Sequence, residues 1–190
     1  MKLPQPSRHF AQGLLCDEGR RHCDGCACLA GDRVCHRGKQ GLLRILIDMW
    51  SAAPEIEVVR KRLEELDSAP GILLAVAELT RRLRQDHGDI MRVVLATAPN
   101  DAEAAEGLAV AIRRCRDGMA VAARRLADLD ALRDGIDADE ALGILWLYFS
   151  YSSFFTLVDD NGWSAEKANQ WLLTAIGNAL LRPLEERPHE

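Results

Sequence analysis

Aromatic residues and prolines are scarce in this sequence. Aromatic side chains account for 5% of its 190 residues, and there are seven prolines. Strands favour aromatic and β-branched side chains, whereas the alanine, leucine and arginine that are abundant here favour helices. With 48% hydrophobic residues, the chain is long enough to bury one sizeable core. The composition therefore predicts an all-α protein.

The sequence also lacks the common catalytic motifs. It has no G-x-S-x-G nucleophile elbow, no H-E-x-x-H zinc motif and no glycine-rich phosphate loop. His87 and His189 have no Cys or acidic residue at a spacing typical of a nucleophile and its base. We therefore expect a protein that is not an enzyme and that needs no organic cofactor.

No secretion signal is recognisable at the N-terminus, because Pro4, Pro6 and Arg8 stand where an apolar segment is needed. Residues 141–158 carry no charge and are long enough to span a bilayer. They include Gly143 and several hydroxyl side chains, and acidic residues flank both ends. We expect a buried helix in a cytoplasmic protein without a membrane partner, and cysteines that are reduced or metal-bound.

Residues 1–37, which we call the head, are rich in Cys and Gly and have no helical periodicity. Cys23 and Cys26 have the spacing of a zinc knuckle, and Cys35 and His36 would bring the candidate ligands to four. One hypothesis is a zinc-binding module fused to a helical scaffold. The alternative is a poorly ordered segment of reduced thiols.

Charge differs between the head region and the rest of the chain. Residues 1–40 hold seven Lys and Arg against four Asp and Glu, whereas the rest holds 17 against 25. A basic N-terminal segment fits contact with nucleic acid, and it fits a solvated tail equally well.

Residues 38–182 have helical spacing of hydrophobic residues, and residues 183–190 form a short tail. The pattern predicts about seven helices, at residues 41–50, 56–66, 72–83, 89–98, 101–133, 138–158 and 164–181. Arg81, Arg82 and Arg84 then form a solvated cluster at a helix end. The short helix at 89–98 lies beside longer neighbours, an arrangement that predicts an apolar cavity.

The last two predicted helices form a hairpin. Asp137 and Ser164 are good N-caps, and Gly162 suits the turn between the helices. The first helix is apolar nearly all round, which favours a four-helix bundle made by two copies of the chain. The alternative is a helix pair covered within one chain. The residues expected at the dimer interface are Phe154, Val158, Trp163, Trp171, Leu172, Ala175, Ile176 and Ala179.

These segments resemble a known family. Residues 137–146 (D-x-x-x-A-L-G-I-L-W) and 157–172 (L-V-D-D-N-G-W-S-A-E-K-A-N-Q-W-L) are similar to the last two helices of tetracycline-repressor-type (TetR) transcriptional regulators. Residues 38–43 (G-K-Q-G-L-L) resemble the start of that family's fourth helix. The resemblance implies a TetR-like regulatory domain over residues 38–181, dimeric through its last two helices.

The resemblance also implies a small apolar effector, held between the helices that match residues 72–86, 89–98 and 101–133. The residues expected to line its cavity are Trp50, Met91, Leu95, Cys115, Met119 and Trp146, each of which fits an ordinary core position as well. The head does not match the helix-turn-helix with which TetR proteins begin. Operator DNA is therefore an expected partner only if the head folds as a DNA-binding domain.

Overall fold

The computed structural model describes residues 38–183. Their helices are α1 (Gly38–Ser51), α2 (Pro54–Glu65), α3 (Ala69–Thr97), α4 (Ala102–Asp128), α5 (Ala138–Phe149), α6 (Tyr151–Phe155) and α7 (Ala165–Leu180). A 3₁₀ turn at Ala98–Asn100 and a π-helical turn at Thr156–Asp160 complete the helical structure. This range contains no strand, only an isolated bridge between Leu132 and Leu181. The all-α prediction is confirmed.

The head lies outside the described residues, and with it the four candidate zinc ligands Cys23, Cys26, Cys35 and His36. The zinc hypothesis therefore stays a prediction from the sequence.

The predicted caps of the closing hairpin are confirmed. The carboxylate of Asp137 accepts a hydrogen bond from the Glu140 amide at 2.9 Å, and the Ser164 hydroxyl accepts one from the Lys167 amide at 3.2 Å. Gly162 has a φ of +66°, a left-handed conformation that costs little without a side chain. Short polar side chains thus fix where α5 and α7 begin.

Helix α3 runs without interruption through Gly88, so the prediction of a separate short helix at residues 89–98 is wrong. Gly88 is buried, and a β-carbon there would lie 2.9 Å from Nη1 of Arg92 and 3.8 Å from the Phe155 ring. The glycine leaves room for Arg92 to reach Asp159, whose carboxylate accepts two hydrogen bonds of 2.7 Å. These contacts offset part of the cost of about 1 kcal/mol for glycine inside a helix.

The predicted single helix over residues 138–158 is broken, because Ser150 takes an extended conformation with ψ of 163°. Its hydroxyl accepts a hydrogen bond from the Ser153 amide at 3.3 Å and caps α6. Serine competes in this way with the helical ladder. The break separates α5 from α6 and leaves the last carbonyls of α5 available to side chains.

Helix α4 ends at Asp128, before the predicted end at residue 133. The following segment pairs with the end of α7. The Arg133 amide donates to the Leu180 carbonyl at 2.8 Å, and the Arg182 amide donates to the Ala131 carbonyl at 3.0 Å. The connection between α4 and α5 is thereby joined to the last described residues.

The two longest helices, α3 and α4, organise the packing. Helix α4 contacts α1, α2, α3 and α5, while α3 also contacts α1, α2 and α7. Helices α5 and α7 contact each other and close the other side of the bundle. One connected core results, with its largest fully buried side chains supplied by α3, α4, α5 and α7.

The run Ala138–Asp160 is, among the described residues, the one helical stretch whose length and composition would suit a membrane span. In the fold, 39% of its most apolar window is buried. Ala141, Leu145 and Phe149 are fully covered, and α5 contacts both α4 and α7. Its apolar side chains therefore supply a share of the bundle core.

Candidate functional site

An apolar cavity, which we call the interhelical cavity, opens between the end of α1, α2, the middle of α3, α4 and the start of α6. Its volume is about 60 Å³, and about 670 Å³ of empty space is enclosed when the open mouth is included. Almost all of its wall is apolar.

Four of the six residues predicted to line a ligand cavity are brought together here: Trp50, Met91, Cys115 and Met119. Leu95 and Trp146 are partly buried against the core and are not part of this wall. Trp146 instead packs edge-on against Tyr151, with ring centroids 6.0 Å apart. The cavity does not arise from a short helix, because α3 is continuous. It lies where α2 and the broken α5–α6 junction flank α3 and α4.

The sequence prediction missed Arg84, which lies in the cavity wall and is only 5% exposed. It does not belong to a solvated cluster with Arg81 and Arg82. Its Nη2 donates to the carbonyls of Phe149 and Ser150, at the break that ends α5. A guanidinium suits this place because helix C-termini present unpaired carbonyls and partial negative charge.

Two nitrogens of Arg84 remain without a protein acceptor among the described residues. Its Nε is fully buried and makes no hydrogen bond, and none is formed by Nη1. The guanidinium carbon lies 5.0 Å from the centre of the Phe154 ring. Arg84 thus carries donors that no acceptor in the described part of the chain satisfies.

The positive charge of Arg84 has no acidic counterpart in the described part of the chain. No carboxylate is among the titratable groups that act on it, which are Cys115 and Tyr151. Burial raises the pKa of the Cys115 thiol and raises the pKa of Tyr151 to about 12, so both are neutral at neutral pH. Burial lowers the pKa of Arg84 to about 10, which still leaves it protonated.

Two other arginines line the cavity near its mouth, and both are paired. Arg60 contacts the carboxylates of Glu57 at 2.7 Å and Glu64 at 3.4 Å. Arg114 contacts Asp48 at 2.6 Å. Since their charges are compensated outside the cavity, Arg84 is the unbalanced charge of the wall.

Tyr151 offers a further donor. Its hydroxyl oxygen accepts a hydrogen bond from Nε1 of Trp50 at 3.3 Å, and the two rings pack edge-on with centroids 6.4 Å apart. Its own proton has no acceptor among the described residues. Accepting from Trp50 polarises the hydroxyl and makes it a better donor toward the cavity.

The predicted dimer residues fall into three classes. Phe154, Leu172 and Ile176 are buried within the chain itself, at 3%, 2% and 0% exposure. Trp171 is 48% exposed and packs edge-on against Trp163. The partly covered residues are Val158, Trp163, Ala175 and Ala179. The apolar faces of α6 and α7 are therefore shared between the subunit core and the surface.

Comparison of the chain with protein-family models, with curated proteins and with solved structures finds no match in any of the three. The interhelical cavity, with its single unbalanced charge, is accordingly the feature from which a function has to be argued.

Proposed function

We propose that residues 38–182 are the ligand-binding and dimerisation domain of a TetR-like transcriptional regulator, and that the interhelical cavity holds a small effector with an apolar body. The observation that carries the proposal is the cavity itself, since an apolar space of this kind with a few polar groups is the usual form of a small-molecule site. The helix order and the resemblance of the closing hairpin support the same assignment.

Helix α1 is the element through which an effector would act on the head. Its last turn supplies Trp50 and Ser51 to the cavity wall, and its first residue continues directly from residue 37. Arg114 of α4 holds this end through hydrogen bonds to Asp48 at 2.6 Å and Ser51 at 2.8 Å. A ligand that displaces Trp50 would therefore move the whole helix.

Dimerisation is proposed through the outer faces of α5 and α7. Leu147 and Trp171 expose 64% and 48% of their surface there. Gly143 and Gly177 have no heavy atom within 4 Å of where a β-carbon would lie, which leaves room for a second backbone to approach. Exposed apolar side chains beside small residues favour close helix–helix contact between copies.

Gly118 provides a test of ligand binding. It lines the cavity, and a β-carbon there would meet nothing within 4 Å. The Gly118→Leu variant should fill the space and abolish the binding of octanol, followed by calorimetry, while Gly118→Ala should bind it weakly and remain folded. If wild-type protein binds no octanol at saturating concentration, the proposal of an apolar effector is wrong.

DNA binding is tested separately, with a gel-shift assay on the DNA upstream of the gene. If the head folds as a DNA-binding domain, the full chain should shift this DNA and release it when the cavity is occupied. A chain that binds octanol and dimerises without shifting DNA would retain the regulatory domain only, and could act by pairing with a full-length relative.

A further inference from the structure

The wall of the interhelical cavity is chemically unbalanced. Its apolar side chains would suit a neutral hydrocarbon, but a hydrocarbon would leave the Arg84 guanidinium without a counter-charge. Arg60 and Arg114, near the mouth, are each within 2.7 Å of a carboxylate, whereas Arg84 at 5% exposure has none within the described residues. The missing partner is therefore an anion, and its place is inside the cavity.

The hydrogen bonds that Arg84 donates to the end of α5 use only some of its donors. The carbonyls of Phe149 and Ser150 occupy Nη2. They are neutral acceptors, and they leave Nε buried without a partner. Burying a charged donor without a partner is costly, and such groups in native proteins call for an explanation by a ligand, an ion or water. A carboxylate bound in the cavity would supply the missing counter-charge and accept a charge-assisted hydrogen bond from the Arg84 guanidinium.

A second donor lies in the same wall. The Tyr151 hydroxyl accepts from Trp50 and retains a proton with no acceptor in the described structure. Tyr151 follows Ser150, whose carbonyl contacts Arg84 at 3.3 Å, so the two side chains leave neighbouring points of the α5–α6 break. Arginine and tyrosine donors together, with no acidic residue in the wall, select an anionic acceptor.

We propose that the effector is an amphipathic organic anion, a carboxylate on a compact apolar body, whose carboxylate pairs with Arg84 and accepts from Tyr151. This inference rests on the proposed function, and it replaces a purely apolar ligand by one with an anionic head. The remaining wall, which includes Trp50, Met91 and Met119, contacts the apolar body.

The test compares octanoate, octanol and acetate by isothermal titration calorimetry on the full chain at neutral pH. Octanoate and octanol share one apolar body and differ in the charge of the head, while acetate has the head alone. We expect octanoate to bind at least roughly tenfold more tightly than octanol, and acetate to show no measurable binding, because a charge-assisted hydrogen bond contributes about that factor or more.

The variants assign this preference to Arg84. Arg84→Gln should weaken the affinity for octanoate roughly ten- to a hundredfold and leave the affinity for octanol within about twofold of the wild-type value. Arg84→Lys keeps the positive charge but loses the planar guanidinium, so its affinity for octanoate should lie between those of the wild type and Arg84→Gln. Arg81→Gln is the matched control, because Arg81 lies on the same helix outside the cavity and is paired with Glu78 at 2.5 Å. The Arg81→Gln variant should bind octanoate and octanol with affinities within about twofold of the wild-type values.

Each outcome bears on the inference differently. If octanol binds as tightly as octanoate, the inference of an anionic head group is wrong, whereas the proposed function of the cavity as an apolar ligand site is unaffected. If acetate binds as tightly as octanoate, the site holds a small anion and the amphipathic ligand is wrong. If no probe binds, the proposed function fails as well. The wild-type comparison decides even where Arg84→Gln does not fold.

Discussion

Arg84 unites burial and charge in a single side chain. Lowering its pKa from 12.5 to about 10 corresponds to a cost of about 3 kcal/mol for the charged form in the ligand-free protein. Hydrogen bonds from the guanidinium to the Phe149 and Ser150 carbonyls return roughly 1.5–3 kcal/mol. The two effects oppose each other, so the residue contributes less net stability than its hydrogen bonds alone would give.

The Arg84→Met variant should therefore change the free energy of unfolding by less than about 1 kcal/mol in the absence of ligand. Methionine fills similar volume and removes both the buried charge and its hydrogen bonds. Urea unfolding of the two proteins at neutral pH measures the difference. Leu145→Ala, at a site with 0% exposure, is the comparison and should cost about 2–5 kcal/mol. A cost of that size for Arg84→Met would show that Arg84 serves mainly to stabilise the end of α5.

At the scale of elements, the π-helical turn Thr156–Asp160 is held to α3 by one fork. Nε and Nη2 of Arg92 both donate to the Asp159 carboxylate at 2.7 Å, and the guanidinium carbon lies 4.3 Å from the centre of the Phe155 ring. Hydrogen bonds from Arg92 lower the pKa of Asp159. The pair is 38% and 39% exposed, so solvent screens it.

Asp159→Asn should lower the free energy of unfolding by about 0.5–1 kcal/mol at neutral pH, the value for a screened pair. Because the pKa of Asp159 is lower in the folded state, this contribution is present above the unfolded-state pKa, about 3.9, and fades as the pH falls below it. Urea unfolding at neutral pH and at about pH 3 checks the sign. Asp160→Asn is the control, since Asp160 is exposed in the same turn and has no ion-pair partner among the described residues, and it should leave the free energy of unfolding unchanged.

Sequence periodicity predicted where the helices lie but not how they are joined. The caps at Asp137 and Ser164 were predictable, because they depend on neighbours within three residues. The passage of α3 through Gly88 was not, since it depends on Arg92 and Asp159, far apart in sequence. The break at Ser150 likewise involves an arginine 66 residues away.

The candidate site was predictable to the same extent. The resemblance placed a cavity between these helices, and Trp50, Met91, Cys115 and Met119, four of the residues expected there, line the cavity observed. Arg84 was not predicted to line the cavity, because an arginine at the end of an apolar stripe is normally solvated. The sequence contained one indication, because Thr80 and Arg84 continue the helical spacing of the apolar residues before them. In the structure both side chains are buried.

At the scale of the whole molecule, the proposed dimer can be tested at its exposed faces. Trp171→Glu should convert a dimer to a monomer without unfolding it, because Trp171 is 48% exposed in the single chain. Analytical ultracentrifugation at micromolar concentration, with circular dichroism as a check of folding, measures both properties. Val58→Glu, at 67% exposure on α2, should leave the dimer intact. A wild-type chain that sediments as a monomer at these concentrations would contradict the proposed interface.

The backbone bridge between Leu132 and Leu181 has a kinetic consequence. Its two hydrogen bonds, from the amides of Arg133 and Arg182, lie outside any helix yet join the loop after α4 to the last turn of α7. Deuterium should enter these two amides only when the terminal helix peels away from the bundle. Their exchange rate therefore reports the opening of the C-terminal end of the bundle.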